Sequence, residues 1–372
     1  MKNSKVKYII TILICAIIAV FFSSGLEHNQ PIEETNIIAG LGNDIDITGN
    51  IVKYIVPFSV YLFEPQNKLE STLKTSTGST LGETRQTRQL ADNKQSILGL
   101  EKVFVMSQDT ASYGIKNIID IQFRNPNLNA TAYAMVCKGK AADILGMNIK
   151  GYPSSSDYMQ GLIKNSVSYN FFSDNYKVLD MFFSIDSEGR NLVLPYIEMT
   201  DKGVNITGMA LFNKDKMVTK ISIDQLKIMN IMRENDVHGI LSLQKTPKEG
   251  VNYYATSKKK VFCTKEGDKY KFTININLNG DIINDTLYKG LQKDPKKNDE
   301  FNKAMVEQVK KNCNNFITKM KNVYKVDCLQ LGQIAAAKYG RQTGADWNSI
   351  VCNSEIEVNV KVNIVKTGRA DY

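Results

Sequence analysis

Histidine and tryptophan are almost missing from this chain of 372 residues: His28 and His238 are its histidines, and Trp347 is its one tryptophan. With so little imidazole, most general-base and nucleophile-activating schemes lose their usual proton carrier. A triad built on His238 would need a nucleophile exposed on a sharp turn, and no G-x-S-x-G occurs. His238 instead lies in ENDVHG, which reads as a polar turn. Paired cysteines are missing too. Six are present without a C-x-x-C, and Cys15 sits in an apolar run, leaving the odd set Cys137, Cys263, Cys313, Cys328 and Cys352. That count and spacing exclude a zinc site and a full disulfide framework. A single Cys313–Cys328 bridge stays open in an oxidising setting; buried thiols acting as small apolar side chains are favoured over it.

Three near-motifs fail for physical reasons. DIDITGN places Asp44, Asp46, Thr48 and Gly49 like the start of a calcium loop, but the twelfth position, where a bidentate Glu is needed, is Ile55. Gly40 and Gly42 form G-x-G without the third glycine and following helix that would hold a pyrophosphate. The pairs Glu33–Glu34 and Asp299–Glu300 read as surface or helix-terminus charges, not as an acid and base couple. Zinc-finger spacing, an RNP-like aromatic motif and a long basic helix are all missing, so no nucleic acid is expected. No catalytic residue, cofactor or metal is assigned.

What is present begins with MKNSKVKYIITILICAIIAVFF, where Lys2, Lys5 and Lys7 precede fifteen uncharged residues, Tyr8 to Phe22. This is a signal sequence or a short signal anchor. The lysines stay cytoplasmic, so the chain after Ser23 is expected to be translocated. Removing those three lysines from the formal charge of +9 leaves +6, a modest basic excess in which lysines that keep the surface soluble are favoured over a face for anionic lipid. Hydrophobic content of 42% and charged content of 23% fit a folded ectodomain.

Along that ectodomain, residues 32 to 64 read as a strand, a glycine-rich turn and a long strand from Ile51 to Phe63. STLKTSTGSTLGETRQTRQL follows as a loop running into a helix near Gly82. LEKVFVMS is a buried strand, Ile115 to Phe123 a helix, and ATAYAMVCKGKAADIL a strand and then a helix. PSSSDYMQGLIKNSVSYNFF is helical, with Ser154 to Ser156 available for capping. Helix, loop and strand resume in YKVLDMFFSIDSEGRNLVLPYIEM. Polar DKG at Asp201 to Gly203 marks a boundary, after which a hairpin turns at Asp215 and Lys216.

KFTININLNG alternates Phe272, Ile274, Ile276 and Leu278 with polar residues, giving a half-buried strand. From Asn298 to Val323, Phe301, Met305, Val309, Cys313, Phe316, Met320 and Val323 recur at spacings of four and three, one stripe of a long helix. Lys303, Lys310, Lys311, Lys319 and Lys321 take its other faces. A short helix near Leu329 to Tyr339 and an alternating strand, EIEVNVKVNIVKTG, close the chain. The expected fold class is α+β (mixed α/β), a multi-domain ectodomain of mixed sheets and helices. Its parts are a signal or anchor segment (1–25), an N-terminal mixed α/β domain (26–200), a middle β-rich domain (201–290) and a C-terminal α+β domain (291–372).

The order of short motifs resembles the C-subunit family of spore germinant receptors, the GerAC or Ger(x)C family. Ile32, Glu33 and Glu34, then Ile37 and Ile38, then Gly40, Gly42 and Asp44 follow the family's acidic stretch and Gly-x-Gly-x-Asp turn. GLEKVFVMSQDTASYGI follows, with Leu100 where the family usually has histidine. IIDIQFRNPNLN brings Asp120, Arg124 and Pro126, with Asn125 replacing an acid, and CKGKAADIL brings Gly139, Lys140, Ala141, Ile144 and Leu145. LPYI and ITGMALFNKDKMV supply Pro195, Gly208, Ala210, Phe212, Lys214 and Lys216; ADWNSIVCNSEIEVNVKVNIVKTG, with Trp347 and Gly368, has the family's ending.

The resemblance implies a three-domain, non-catalytic C subunit, tethered on the outer face of the spore inner membrane beside integral-membrane A and B subunits. Its implied role is to couple nutrient sensing to germination, and direct nutrient binding by this chain is not expected. Lys310 and Lys311 are the candidate partner contact. Leu26 stands where the family's lipidated cysteine is expected, so no lipidation is assigned; retention by the N-terminal helix is favoured over cleavage after Gly25. An extracytoplasmic solute-binding lipoprotein-like protein and an extracytoplasmic hydrolase are the alternatives, in that order.

Overall fold

The computed structural model describes residues 2–24, 34–64, 68–201, 203–288, 290–291, 294–341 and 343–366. The first element is helix α1 (Lys2–Ser24). Every described side chain on it, Lys7 to Phe21, is exposed. A helix apolar on all sides is built for a nonaqueous surrounding. Its uncharged run of fifteen residues is about 22 Å long, against about 30 Å of bilayer hydrocarbon. Among the described residues no helix is long and apolar enough to cross a membrane. Leu26, Gly25 and the surrounding junction lie outside the described residues.

The first layer is one sheet. Strands β1 (Thr35–Thr48), β2 (Ile51–Glu64) and β3 (Lys68–Gly78) form an antiparallel meander. Helix α2 (Leu81–Ala91), capped by the Thr80 side chain on the Glu83 N–H, leads to the short β4 (Gln95–Ile97). Then come β5 (Val103–Ser107), α3 (Gln108–Tyr113), α4 (Lys116–Phe123), β6 (Tyr133–Cys137), α5 (Ala141–Leu145), α6 (Ser155–Ser166) and α7 (Val178–Asp186). Strands β7 (Val193–Thr200), β8 (Gly203–Asn213) and β9 (Lys216–Ser222) complete it. The order is β3-β2-β1-β5-β6-β7-β8-β9, with β4 pairing β1. Neighbours β1, β5, β6 and β7 run parallel, with an antiparallel wing on each side.

VFVMS and YAMVC are buried at every position because helices cover both faces of the parallel centre. Phe104, Met106, Ala134 and Val136 pack with Ile115, Ile118 and Met181. Val103, Val105, Tyr133, Met135 and Cys137 pack on the other side with Ile144, Leu145, Met159 and Ile163. Strand β8 then joins two cores: Ala210 and Phe212 enter the first, whereas Met209 and Leu211 belong to the core of the C-terminal half. The sheet itself continues from β7 into β8, with Thr200 paired to Gly203.

After α8 (Ile223–Arg233), strands β10 (Val237–Thr246), β11 (Glu249–Glu266) and β12 (Lys269–Asp285) form a second antiparallel meander. Helices α9 (Pro295–Lys319), α10 (Leu331–Tyr339) and α11 (Trp347–Asn353) precede β13 (Glu355–Lys366), which adds parallel to β12. Phe272, Ile274, Ile276 and Leu278 face Phe301, Met305, Val309, Cys313 and Phe316 across one core. Mixed sheets with packed helices are the α+β class that the patterning predicted.

Four local expectations are corrected. STLKTSTG is strand β3, paired with β2 along its length, not a loop. The Gly-x-Gly-x-Asp stretch lies inside β1; the turn comes later, at Gly49 and Asn50. His238 is in β10, its Nδ1 against the Thr256 hydroxyl at 3.1 Å, not in a turn. Val323 is 69% exposed, because a π-helical turn over Met320–Tyr324 ends the stripe and brings Tyr324 beside Phe316 instead. All six cysteines are free, so Cys313 and Cys328 are not bridged.

Candidate functional site

Among the described residues no group of three or more His, Cys, Asp or Glu is placed to hold a metal. The polar side chains that converge do so to join distant parts of the chain. Asp44, in the second half of β1 and 2% exposed, accepts the Ala141 N–H at 2.7 Å and the Ala142 N–H at 3.0 Å, the first donors of α5. Burial pushes its carboxyl above the usual range, against the pull of these two donors. Beside it Ser107 caps α3, and the Thr110 hydroxyl donates to the Asn43 carbonyl at 3.0 Å.

Gly40 and Gly42 make that join sterically feasible. A Cβ at Gly40 would stand 2.2 Å from Ser156 Oγ, and one at Gly42 would stand 2.7 Å from Pro57 and 2.9 Å from Leu145. So Gly40, Gly42 and Asp44 are spaced by two because all three must face the α5 and α6 side of β1. The Gly-x-Gly-x-Asp and Gly-Lys-Ala-x-x-Ile-Leu motifs, nearly a hundred residues apart, are two sides of one contact.

A second convergence clasps the first sheet to the C-terminal half. Glu188 Oε1 accepts from Trp347 Nε1 at 2.9 Å and from the Thr343 hydroxyl at 2.7 Å. Asn191 Nδ2 donates to the Asp327 carbonyl at 3.0 Å and to Asn348 Oδ1 at 2.6 Å. Buried Arg233 donates to the carbonyls of Cys328 at 2.7 Å and Asn191 at 3.2 Å, and pairs with Glu234 at 3.0 Å. Asp327, wholly buried and with its carboxyl pushed up by that burial, accepts from the Gly332 N–H at 2.7 Å. Gly189, at φ +71°, lies so close to Gly332 that an added Cβ would meet backbone at 2.3 Å.

Lys310 and Lys311 are exposed on α9, and no ion pair to either is found among the described residues. Lys321, expected on the same basic surface, donates to the Ser354 carbonyl at 2.8 Å. A different stripe of α9, Gln308, Asn312, Asn315 and Lys319, lines an open groove of about 450 Å³ against α8 and β10. Arg124, one of the motif residues, makes only a local exposed pair with Asp120 at 3.0 Å.

Glu188, Asn191, Arg233 and Asp327 were not legible as site residues. Their partners lie up to 159 residues away, and spacing carries no trace of that. An asparagine and an arginine among the apolar residues at the end of α8, IMNIMR, are the local signal of a buried polar junction.

Residues 28–199 match the family model described as spore germination protein N-terminal domain, and residues 207–368 match spore germination B3/GerAC like, C-terminal. The chain is 24% identical to spore germination protein GerQC of Bacillus cereus, covering 84% of this chain and 92% of that one. It is 21% identical to spore germination protein A3 of Bacillus subtilis (strain 168), over 73% of this chain and 74% of the relative. The crystal structure of the GerBC protein has the same fold, with a TM-score of 0.56 at 14% identity, covering 87% of this chain and 97% of that one. The chain belongs to the Ger(x)C family, the C-subunit family of spore germinant receptors.

Proposed function

We propose that this chain is the non-catalytic C subunit of a nutrient germinant receptor. It sits on the outer face of the spore inner membrane, tethered by α1, and assembles with integral-membrane A and B subunits. There it couples nutrient sensing in the membrane subunits to germination. The observation that carries this is the pair of family domain models in order along one chain, behind an exposed apolar helix.

Coupling requires that the ectodomain contact its partners with different free energies in two receptor states. The clasp of Glu188, Asn191 and Arg233 onto the C-terminal half supports this, because a joined body passes a displacement on instead of absorbing it. Lys310 and Lys311 are the partner contact we assign on α9. Reversing both charges should impair assembly or germination; unchanged assembly and germination would remove the helix from the interface.

With leucine at position 26, no thiol is available there for diacylglyceryl attachment, and the helix is the tether. Intact mass of the membrane-extracted protein tests this: a mature chain starting at Leu26 would contradict it. Deleting the gene should slow germination triggered by the receptor's nutrient while leaving a non-nutrient trigger effective. Calorimetry of the purified protein with nutrients separates the solute-binding alternative, which requires tight binding by this chain alone.

A further inference from the structure

We propose that the end of the first sheet formed by the β2–β3 hairpin and β4 lies in the lipid headgroup region and inserts apolar side chains there. The inference rests on the tether reading and adds to it a second, independent contact between the ectodomain and lipid.

The strand register brings the parts together. β1 begins at Thr35, and its antiparallel partner β2 runs from Ile38↔Val60 back toward that beginning, so Leu62 and Phe63 end beside the point where the chain enters the sheet. Phe63 pairs with Leu69 at the start of β3, and Thr35–Ile37 pairs with Gln95–Ile97 of β4. Leu90 ends α2 nearby, where Asp92 accepts from Asn36 Nδ2 at 2.7 Å. At this end Phe63 is 63% exposed and Leu90 is 90% exposed, and Leu62, Leu69 and Ile97 are exposed as well.

Leu62 and Phe63 are adjacent in a strand and therefore point to opposite faces. An amphipathic strand would expose one of them and bury the other. Exposure of both describes a sheet end that projects beyond its helical cover, and clustered exposed apolar side chains of this kind mark protein or membrane contacts.

The chain length selects the membrane. Only residues 25–34 separate α1 from this end, a span of at most about 35 Å when fully extended. The opposite end of the same sheet also exposes apolar side chains, Ile47 and Ile51, but Ile51 is twelve residues along β2 from Phe63, about 40 Å farther off. Of the two apolar ends, this is the one that the chain keeps within about 35 Å of α1. An aromatic ring flanked by leucines suits the interface, where it meets both headgroups and acyl chains.

The test uses the full chain in vesicles containing phospholipids brominated on their acyl chains, with the variants F63W and I51W compared over the shared background of Trp347. Flotation of the protein with the vesicles reports the tether. The proposal expects the added emission of F63W to shift to the blue and to be largely lost to bromine quenching, while that of I51W is unaffected. Flotation with F63W unquenched overturns this inference and leaves the tether standing. Failure to float overturns both, and equal quenching of F63W and I51W contradicts the assigned orientation.

Discussion

The Asp44 carboxylate holds the N–H of Ala141 at 2.7 Å, joining residues 97 apart and closing α5 onto β1. Asp44→Ala would leave two helix N–H groups without a partner in a buried place, at about 2–3 kcal/mol. Asp44→Asn, which keeps an acceptor, should lose less. Chemical denaturation of the three proteins checks the order, and equal stability of wild type and the alanine variant would contradict it.

Two carboxylates should respond to pH with opposite signs. Hydrogen bonding to Lys220 holds Glu198 below the usual carboxylate range, with Thr207 adding to it. Its contribution, about 1 kcal/mol, is present above the unfolded value near 4 and is lost as pH falls through the lower folded value. Asp44 is raised by burial, so its ionisation is harder in the folded state than in the unfolded one. Stability therefore falls as pH rises from about 4 through its folded value. Thermal unfolding against pH should show the E198Q deficit vanishing in acid, and D44N lacking the fall.

Gly189→Ala and Gly49→Ala both place a side chain at positive φ, at +71° and +62°. The left-handed conformation alone costs about 1–2 kcal/mol, which is all that G49A should lose, since nothing lies within 4 Å of its added Cβ. G189A adds a collision with the Gly332 backbone and should lose clearly more. Similar melting temperatures for the two variants would show that the 188–191 segment is not held against α10.

Arg233→Lys should destabilise by about 3 kcal/mol, because a single ammonium cannot replace a guanidinium that spans the Cys328 and Asn191 carbonyls and pairs with Glu234. If the clasp joins the two halves, unfolding of this variant should also broaden into two steps, seen by calorimetry.

Thiol labelling separates free from bridged cysteine. In detergent Cys313, its thiol pushed up to about 12 by burial, should resist labelling in the native chain and react without any reductant once the chain is unfolded. Reducing agent should leave the melting temperature unchanged.

The parts legible in the sequence were those with a repeating physical cause. VFVMS read as a buried strand and YAMVC as a strand, apolar throughout because helices cover both their faces, and the α9 stripe read as a helix because one face meets β12. β3 was hidden by composition: its serines and threonines suit a loop, yet threonine is β-branched and fits a half-exposed strand equally well. Gly40 and Gly42 suggested a turn because glycine permits one, whereas here it is the missing Cβ that matters, making room for Ser156 and Leu145. Val323 left its stripe through one π-helical turn that no spacing announces. The clasp was illegible because Glu188 and Trp347 meet only after both halves have folded.

The central claim is assembly into a germinant receptor, and isolation of the tagged chain from detergent-extracted spore inner membrane tests it most directly. The account predicts co-elution with two polytopic proteins of the receptor's A and B type. Recovery of the chain from that membrane alone, without either, would contradict it.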